Sequence, residues 1–178
     1  MRGFGRGYVR RLGPAEAEAH RAQVDPRTRV PLVYRLVPDA KGWPPVEAEK
    51  LWAAPLGFES YRIDNIPFFV QNLAQGDIVR AVEVGGYLLP LSRRSAGNRT
   101  IRIRPHPHGP LAGDPTEVFD RFIPLGVEGE RSEPYNLVAL NVPADVPASP
   151  VRTLLWDGAR EGLWDYEEAC IDDAWYLD

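Results

Sequence analysis

The chain has 178 residues, of which 44% are hydrophobic and 26% are charged, and its formal net charge is -4. This composition is that of an ordinary globular protein, which excludes a fibrous repeat or a largely disordered chain. No apolar run approaches the roughly 20 residues of a membrane-spanning helix. The single cysteine, Cys170, excludes an internal disulfide and a cysteine-rich zinc site. The first residues lack the apolar core of a secretory signal, so we predict a cytoplasmic protein.

Residues 1–29 and 30–104 differ in pattern. Residues 1–29 carry seven arginines against three acids and no apolar stripe, which predicts a mobile basic arm with one short helix from Pro14 to Ala22. Residues 30–104 alternate apolar and polar side chains between tight turns, which predicts five or six short strands. The Gly85-Gly86 pair is typical of a two-residue hairpin. We therefore expect a small antiparallel, β-barrel-like half here.

Residues 105–178 change period and predict helices on a sheet. Asp114, Pro115 and Glu117 form a helix-start signature, and Ser149-Pro150 is expected to open a second helix in the same manner. The segments 135–142 and 164–170 predict strands, the first nearly continuously apolar and the second alternating. With the strand at 99–104, the order is β-α-β-α-β. The predicted fold class is α+β, and we expect the strand at 99–104 to join both halves in one core.

Several short motifs follow one another in a recognisable order. They are VYRLVPD from Val33, GWPP from Gly42, EKLWA from Glu49, YRIDNIPFF from Tyr61 and GDIV from Gly76. In this order they resemble the bacterial domain of unknown function 4265 family, from about Val30 to the end of the chain. The resemblance implies a fold and a bacterial, cytoplasmic setting, without an activity. Where such proteins often have Ser-Gly-His, residues 95–98 read Ser-Ala-Gly-Asn, which weakens an enzymatic interpretation.

The end of the chain combines acids with aromatic residues. The last 22 residues hold eight acids and one arginine. Such asymmetry suggests either a tail that binds a basic partner or one that folds over the chain's own arginines. Aromatic anchors among charges are typical of a specific protein interface. We therefore expect residues 156–178 to form a partner-binding surface, and we name as its members Trp164, Asp172, Asp173, Trp175 and Tyr176.

The leading hypothesis is therefore a non-enzymatic protein-binding module of the accessory, inhibitor or immunity type, with a partner that carries a basic surface. In the alternative interpretation of the same residues, Trp156 and Trp164 belong to the core and the acids are a solvated face. No cofactor is predicted, since the chain has neither a phosphate-binding glycine-rich loop nor a dinucleotide fingerprint.

An alternative class is a small hydrolase or transferase that uses carboxylates in the cleft between the two halves. The candidates are Asp64, Asp77, Glu167 and Glu168. General acid–base chemistry needs two carboxyl groups at a controlled separation, and sequence does not show such a separation. Asp64 and Asp77 are equally natural turn residues. Cys170 follows two glutamates, which oppose thiolate formation, so a buried small side chain is the better interpretation.

Two further chemistries have candidate residues. Residues 92–104 hold five arginines and no acid, and this stripe could follow nucleic-acid phosphates, although the acidic net charge opposes that function. The stripe consists of Arg93, Arg94, Arg99, Arg102 and Arg104. His106 and His108 are two residues apart and could meet one metal, but a site needs a third ligand. A rigid exposed loop is the favoured interpretation of this histidine pair, so no metal site is predicted.

Overall fold

The structure, a computed structural model, describes residues 28–177. The predicted arm helix at 14–22 lies outside these residues. Within residues 28–177 the chain forms nine strands and two α-helices. The strands are β1 (Val30–Arg35), β2 (Ala48–Gly57), β3 (Ser60–Ile63), β4 (Ile78–Val84), β5 (Tyr87–Arg94), β6 (Arg99–Pro105), β7 (Glu128–Ser132), β8 (Leu137–Val142) and β9 (Trp164–Cys170). The helices are α1 (Pro115–Phe122) and α2 (Ala148–Arg160), and a 3₁₀ turn spans Asp173–Tyr176.

Strands β1 to β5 form one sheet in chain order, with a ring of hydrogen bonds. Consecutive strands are antiparallel, and the parallel pairing of Leu32 with Leu88 links β1 to β5. Alternation along β2 buries Leu51 and Ala53 while Lys50 and Trp52 face outward. The buried set fills the inside of the ring, so a short polar–apolar alternation suffices to build this half.

Strands β6 to β9 form a second sheet in the order β7-β8-β6-β9, with every neighbouring pair antiparallel. With the two helices, the chain order is β-α-β-β-α-β, the split arrangement of ferredoxin-like folds. The α+β prediction is confirmed, with two differences. β7 was not predicted, because its sequence EGERS carries no apolar alternation. β6 is a central strand of the second sheet, so the first sheet ends at β5.

The helix starts follow the local sequence in one case and not in the other. At α1, the Asp114 carboxylate accepts from the Thr116 N–H at 2.7 Å and Pro115 occupies the first turn, as predicted. At α2, the helix begins one residue before Ser149, after Pro147, and has no side-chain cap. Gly158 lies inside helix α2, and there it packs directly on the Trp164 ring.

Most buried apolar residues of the described chain fall into two clusters, one inside the first sheet and one between the second sheet and its helices. The expected single core through β6 is therefore wrong. Contacts of the segment 64–77, between β3 and β4, join the two sheets, among them the edge-to-face packing of Phe69 on Tyr135 at 5.1 Å between ring centroids. The Thr100 hydroxyl donates to the Leu73 carbonyl at 2.9 Å, and the Asn72 N–H donates to the Ala169 carbonyl at 2.8 Å.

A carboxylate of the first sheet holds the same segment. Glu49, on β2, is 9% exposed and accepts from the backbone N–H groups of Phe68, Phe69 and Val70 at 2.6, 2.8 and 2.8 Å. Charge-assisted bonds of this kind are the stronger class of hydrogen bond. Glu49 thereby fixes the backbone that separates the two sheets and borders a cleft described below.

Candidate functional site

Two of the predicted partner-binding aromatics are core residues. Trp164 and Trp175 are both 0% exposed and belong to the cluster between the second sheet and its helices. The Trp164 indole N–H donates to the Leu155 carbonyl at 3.2 Å, and the Trp175 indole N–H donates to Glu168 Oε1 at 2.9 Å. The expectation that these indoles face a partner is wrong, because each fills the apolar layer and satisfies its N–H internally.

Part of the acidic segment is paired with the chain's own arginines. Arg99 Nε lies 2.9 Å from Asp172 Oδ1, and Arg102 Nη1 lies 3.0 Å from Glu167 Oε2. The second pair follows from strand register, since Glu167 on β9 lies opposite Arg102 on β6. Asp172 is therefore not a free partner-binding acid, and the tail in part neutralises its own basic stripe.

An exposed aromatic surface remains beside these buried groups. Trp156 on α2 is 64% exposed, Tyr176 is 59% exposed and Leu177 is 82% exposed. The Tyr176 hydroxyl donates to Glu168 Oε2 at 2.5 Å. Burial raises the pKa of Tyr166, Glu168 adds to that rise, and the Trp156 side chain opposes it. Trp156 is therefore a neighbour of Tyr166, and Glu168 connects Tyr166 to Tyr176.

We call this the acidic aromatic surface. It consists of Trp156, Tyr166, Glu168, Tyr176 and Leu177, with Asp173 at its margin. Two of the five predicted partner-binding residues, Asp173 and Tyr176, are exposed here. The sequence left Trp156 open between the partner-binding segment and the core. In the structure it is the most exposed tryptophan of the described chain. Its place on the outer face of α2 was not evident from residues 148–160 alone.

The arginine stripe is divided between burial and exposure. Arg99 and Arg102 are 4% and 2% exposed, and Arg93 Nε lies 2.6 Å from Asp77 Oδ2. Arg94 and Arg104 are exposed. The predicted continuous phosphate-binding stripe is therefore wrong, because its inner members are held by carboxylates. Desolvation by burial lowers the pKa of Arg102, and the neighbouring Glu167 opposes that effect.

The four candidate catalytic carboxylates are held in separate environments. Asp64 pairs with Arg29, whereas Asp77 is fully buried and accepts from Arg93 and from the N–H groups of Ala74 and Ala96. Glu167 and Glu168 are consecutive on β9 and therefore face opposite sides of the sheet. The structure does not bring the four together, and each has a hydrogen-bond or ion-pair role of its own.

The two candidate metal ligands, His106 and His108, also lie in different environments. His106 Nδ1 lies 3.0 Å from the Gly162 carbonyl oxygen and its Nε2 lies 3.2 Å from Asp165 Oδ2, whereas His108 is exposed. Among residues 28–177 no group of three or more His, Cys, Asp or Glu side chains is arranged to hold a metal. His106 thus connects the loop after β6 to the start of β9.

A cleft that the sequence analysis did not assign lies at the junction of the two sheets. It comprises two adjoining cavities of about 300 and 500 Å³, which share Trp43 and Glu167 as lining residues. Arg102 and Arg104 line the first cavity, and Arg35 and Phe69 line the second. We call it the Trp43 cleft. Only the GWPP motif, as an unusual aromatic turn, marked this place in the sequence.

Trp43 itself is held firmly in the cleft. The Asp39 carboxylate accepts from the N–H groups of Lys41 and Trp43 at 2.8 and 2.9 Å, which fixes the turn. Phe69 contacts the Trp43 ring edge to face, with centroids 5.5 Å apart, and Arg104 Cζ lies 4.5 Å from the Trp43 centroid. This geometry places a cation on an aromatic wall.

The two sheets and the β-α-β-β-α-β order define an α+β protein. The chain belongs to the DUF4265 family, a domain of unknown function whose family model matches residues 49–166, so the resemblance seen in the sequence is confirmed. It is also similar to a hypothetical protein from Neisseria gonorrhoeae of known crystal structure. That similarity has a TM-score of 0.64 and 22% identity, covering 81% of this chain and 94% of that chain, and it supports the fold.

A search of curated proteins found no match. In the part of the chain that the structure describes, no helix has the length and apolar character needed to cross a membrane.

Proposed function

We propose that this protein is a non-enzymatic protein-binding module of the accessory, inhibitor or immunity type, and that it binds a basic partner through the acidic aromatic surface. The observation that carries the proposal is the exposure of the Trp156 indole, 64% of which is open to solvent beside acidic groups. Tryptophan and tyrosine are the residues on which interface free energy most often depends. Among the described residues, Trp156 differs from the isolated Trp52 in having further aromatic side chains beside it, and an exposed apolar patch rimmed by polar groups is typical of an interaction site.

The carboxylates beside Tyr166 and Tyr176 favour a basic partner over nucleic acid. Glu168 lies between Tyr166 and Tyr176 on this surface, and Asp173 is exposed at its margin. These carboxylates repel phosphate and attract lysine or arginine side chains, and they speed association with a basic protein at low salt. Asp172, the partner of the buried Arg99, contributes less because its charge is already compensated.

The carboxylate-enzyme alternative receives less support from the same geometry. A general acid and a general base must converge on one substrate atom. Here the candidate carboxylates Asp64, Asp77 and Glu167 each accept from an arginine of the same chain. Their arrangement suits a structural role.

The test compares two exposed tryptophans. After a stoichiometric partner is recovered by co-purification from the native host, its affinity is measured for Trp156→Ala and for the matched control Trp52→Ala, since Trp52 is 50% exposed on the first sheet. We expect Trp156→Ala to weaken binding by about tenfold or more, and Trp52→Ala to leave it unchanged. Equal effects of the two substitutions, or a partner that binds both variants as tightly as the original chain, would contradict the proposal.

Charge gives a second readout. Asp173→Lys should slow association and flatten its salt dependence, whereas Asp120→Lys, on the exposed side of α1, should not. Asp172 is left intact because it pairs with Arg99 and caps the last 3₁₀ turn. Unchanged association kinetics for Asp173→Lys would count against a basic partner.

A further inference from the structure

We infer that the Trp43 cleft binds a small molecule that carries an aromatic or apolar body and an anionic oxygen group, either a carboxylate or a phosphate. The two cavities, of about 300 and 500 Å³, have the size of ordinary ligand pockets. They meet at Trp43, which offers an aromatic wall fixed by Asp39 and Phe69. This site is independent of the proposed protein-binding function.

The carboxylate that lines both cavities is already occupied. Glu167 accepts from Arg102 through one oxygen and from Gln71 through the other, at 3.0 and 2.6 Å. Asp39 accepts from two backbone N–H groups, and Asp165 contacts His106. The charge of Glu167, the carboxylate common to both cavities, is therefore committed to groups of the chain itself.

The donors are in surplus. Among residues 28–177, neither Arg35 nor Arg104 has a carboxylate partner, and both are exposed where they line the cleft. Arg102 Nε and the Tyr34 hydroxyl also have no hydrogen-bond partner within the described residues, but both atoms are buried, so the donors that a ligand reaches are those of Arg35 and Arg104. Since guanidinium groups only donate, the surplus matches a ligand whose polar atoms accept. Arginine forks bind carboxylate and phosphate oxygens in this way.

The position of Arg104 explains why the ligand needs an aromatic or apolar body. Its guanidinium lies over the Trp43 ring, so an anion that reaches Arg104 brings its own body against the aromatic wall. Arg104 and Glu167 lie on the cleft side of the second sheet and Glu168 on the helix side, whereas Tyr166 packs against the helix-side cluster and also lines the first cavity. The cleft and the acidic aromatic surface thus share Tyr166, but the residues that test them, Arg35 and Arg104 for the cleft and Trp156 for the surface, belong to one site each, so each proposal can fail without the other.

The experiment titrates the full chain with benzoate, phenyl phosphate and the neutral control benzamide. Binding is followed by NMR of the indole N–H groups and the arginine Nε–H groups, with the Trp43 signal assigned from Trp43→Phe. We expect benzoate or phenyl phosphate to shift the Trp43 and Arg104 signals and benzamide to leave them unmoved. The tighter of the two anions identifies the group that the site accepts.

The matched variants are Arg104→Gln, Arg35→Gln and the control Arg94→Gln, because Arg94 is exposed outside the cleft. Loss of a charge-assisted contact should weaken binding of the anion about tenfold in Arg104→Gln and in Arg35→Gln, and binding should not change in Arg94→Gln. Circular dichroism checks that each variant folds. The inference is overturned if benzamide binds as tightly as the anions, if no anion shifts the Trp43 signal, or if Arg94→Gln weakens binding as much as Arg104→Gln.

Discussion

Arg102 and Glu167 lie opposite each other on neighbouring strands, and their side chains meet at 3.0 Å with very different access to water. The arginine side chain is 2% exposed and the glutamate side chain is 43% exposed. Arg102 also donates to the Val70 carbonyl, so one guanidinium connects β9 to the segment between the two sheets. The pair therefore stabilises the junction of the two sheets as well as the second sheet.

Glu167→Ala should destabilise the protein by about 2 kcal/mol, because it leaves the buried Arg102 charge without its counterion while water still reaches the site in part. Urea unfolding measures the change. The control is Asp165→Ala, on the same face two residues earlier, whose side chain is 83% exposed and whose loss should cost less than about 0.5 kcal/mol. A Glu167→Ala variant as stable as the control would refute this role for the ion pair.

Glu49→Gln should destabilise the protein by about 2–3 kcal/mol, since a neutral amide cannot accept from three N–H groups as the carboxylate does. The neighbouring exposed Lys50→Gln is the control and should change stability by less than about 0.5 kcal/mol. Hydrogen exchange of the Phe69 and Val70 amides gives the local readout. If these amides keep their protection in Glu49→Gln, the carboxylate does not hold the segment.

Gly158→Ala should destabilise the protein by about 3 kcal/mol, although the same change in a free helix favours the helix by about 1 kcal/mol. The reason is steric, because a Cβ at Gly158 would lie 1.9 Å from the Trp164 ring, and Trp164 is fully buried. Thr153→Ala, on the exposed side of α2, should be neutral or slightly stabilising. Thermal unfolding measures the change in stability of the two variants. A Gly158→Ala variant more stable than the original chain would contradict the close packing of Gly158 on Trp164.

The Cys170 thiol should resist modification in the folded protein. Burial raises the pKa of Cys170, and the carboxylates of Asp77 and Asp172 add to the rise while Arg93 and Arg102 oppose it. A thiol-reactive disulfide at about pH 8 should therefore react slowly with the native chain and quickly with the urea-unfolded chain. Equal rates in the two states would show that the thiol is neither buried nor held protonated.

The raised pKa of Cys170 also makes the free energy of unfolding depend on pH. In the folded state Cys170 keeps its proton above the ordinary thiol pKa of about 8.5. The stabilisation that this proton gives is therefore complete below that pH and is lost as the pH rises through the pKa of the folded state. Cys170→Ala should therefore flatten the decline in unfolding free energy above about pH 8.5.

Local sequence signals predicted much of the fold. The Gly85-Gly86 pair forms the turn between β4 and β5, with positive φ angles of 60° and 82° that glycine alone adopts readily. The capping signature of α1 and the alternation of β9 were equally decisive. Polar β7 was missed, because pairing with β8 makes it a strand and its own residues do not.

The candidate site was less predictable, because its determinants are long-range. Alternation showed that Trp164 and Asp165 face opposite sides of a strand, but only the packed helices decide that the Trp164 side is the buried one. Arg102 and Glu167 are 65 residues apart in sequence, and their pairing depends on strand order. The Trp43 cleft likewise exists only once the two sheets meet.

Strand β9 supplies residues to the two proposed sites, and a single-residue slip in its alignment with β6 would send Glu168 into the cleft and Glu167 toward the apolar layer. Both surfaces are therefore tied to one alignment. Related proteins can vary the chemistry of either surface by substitution, but an insertion or deletion of one residue within β9 would erase both at once.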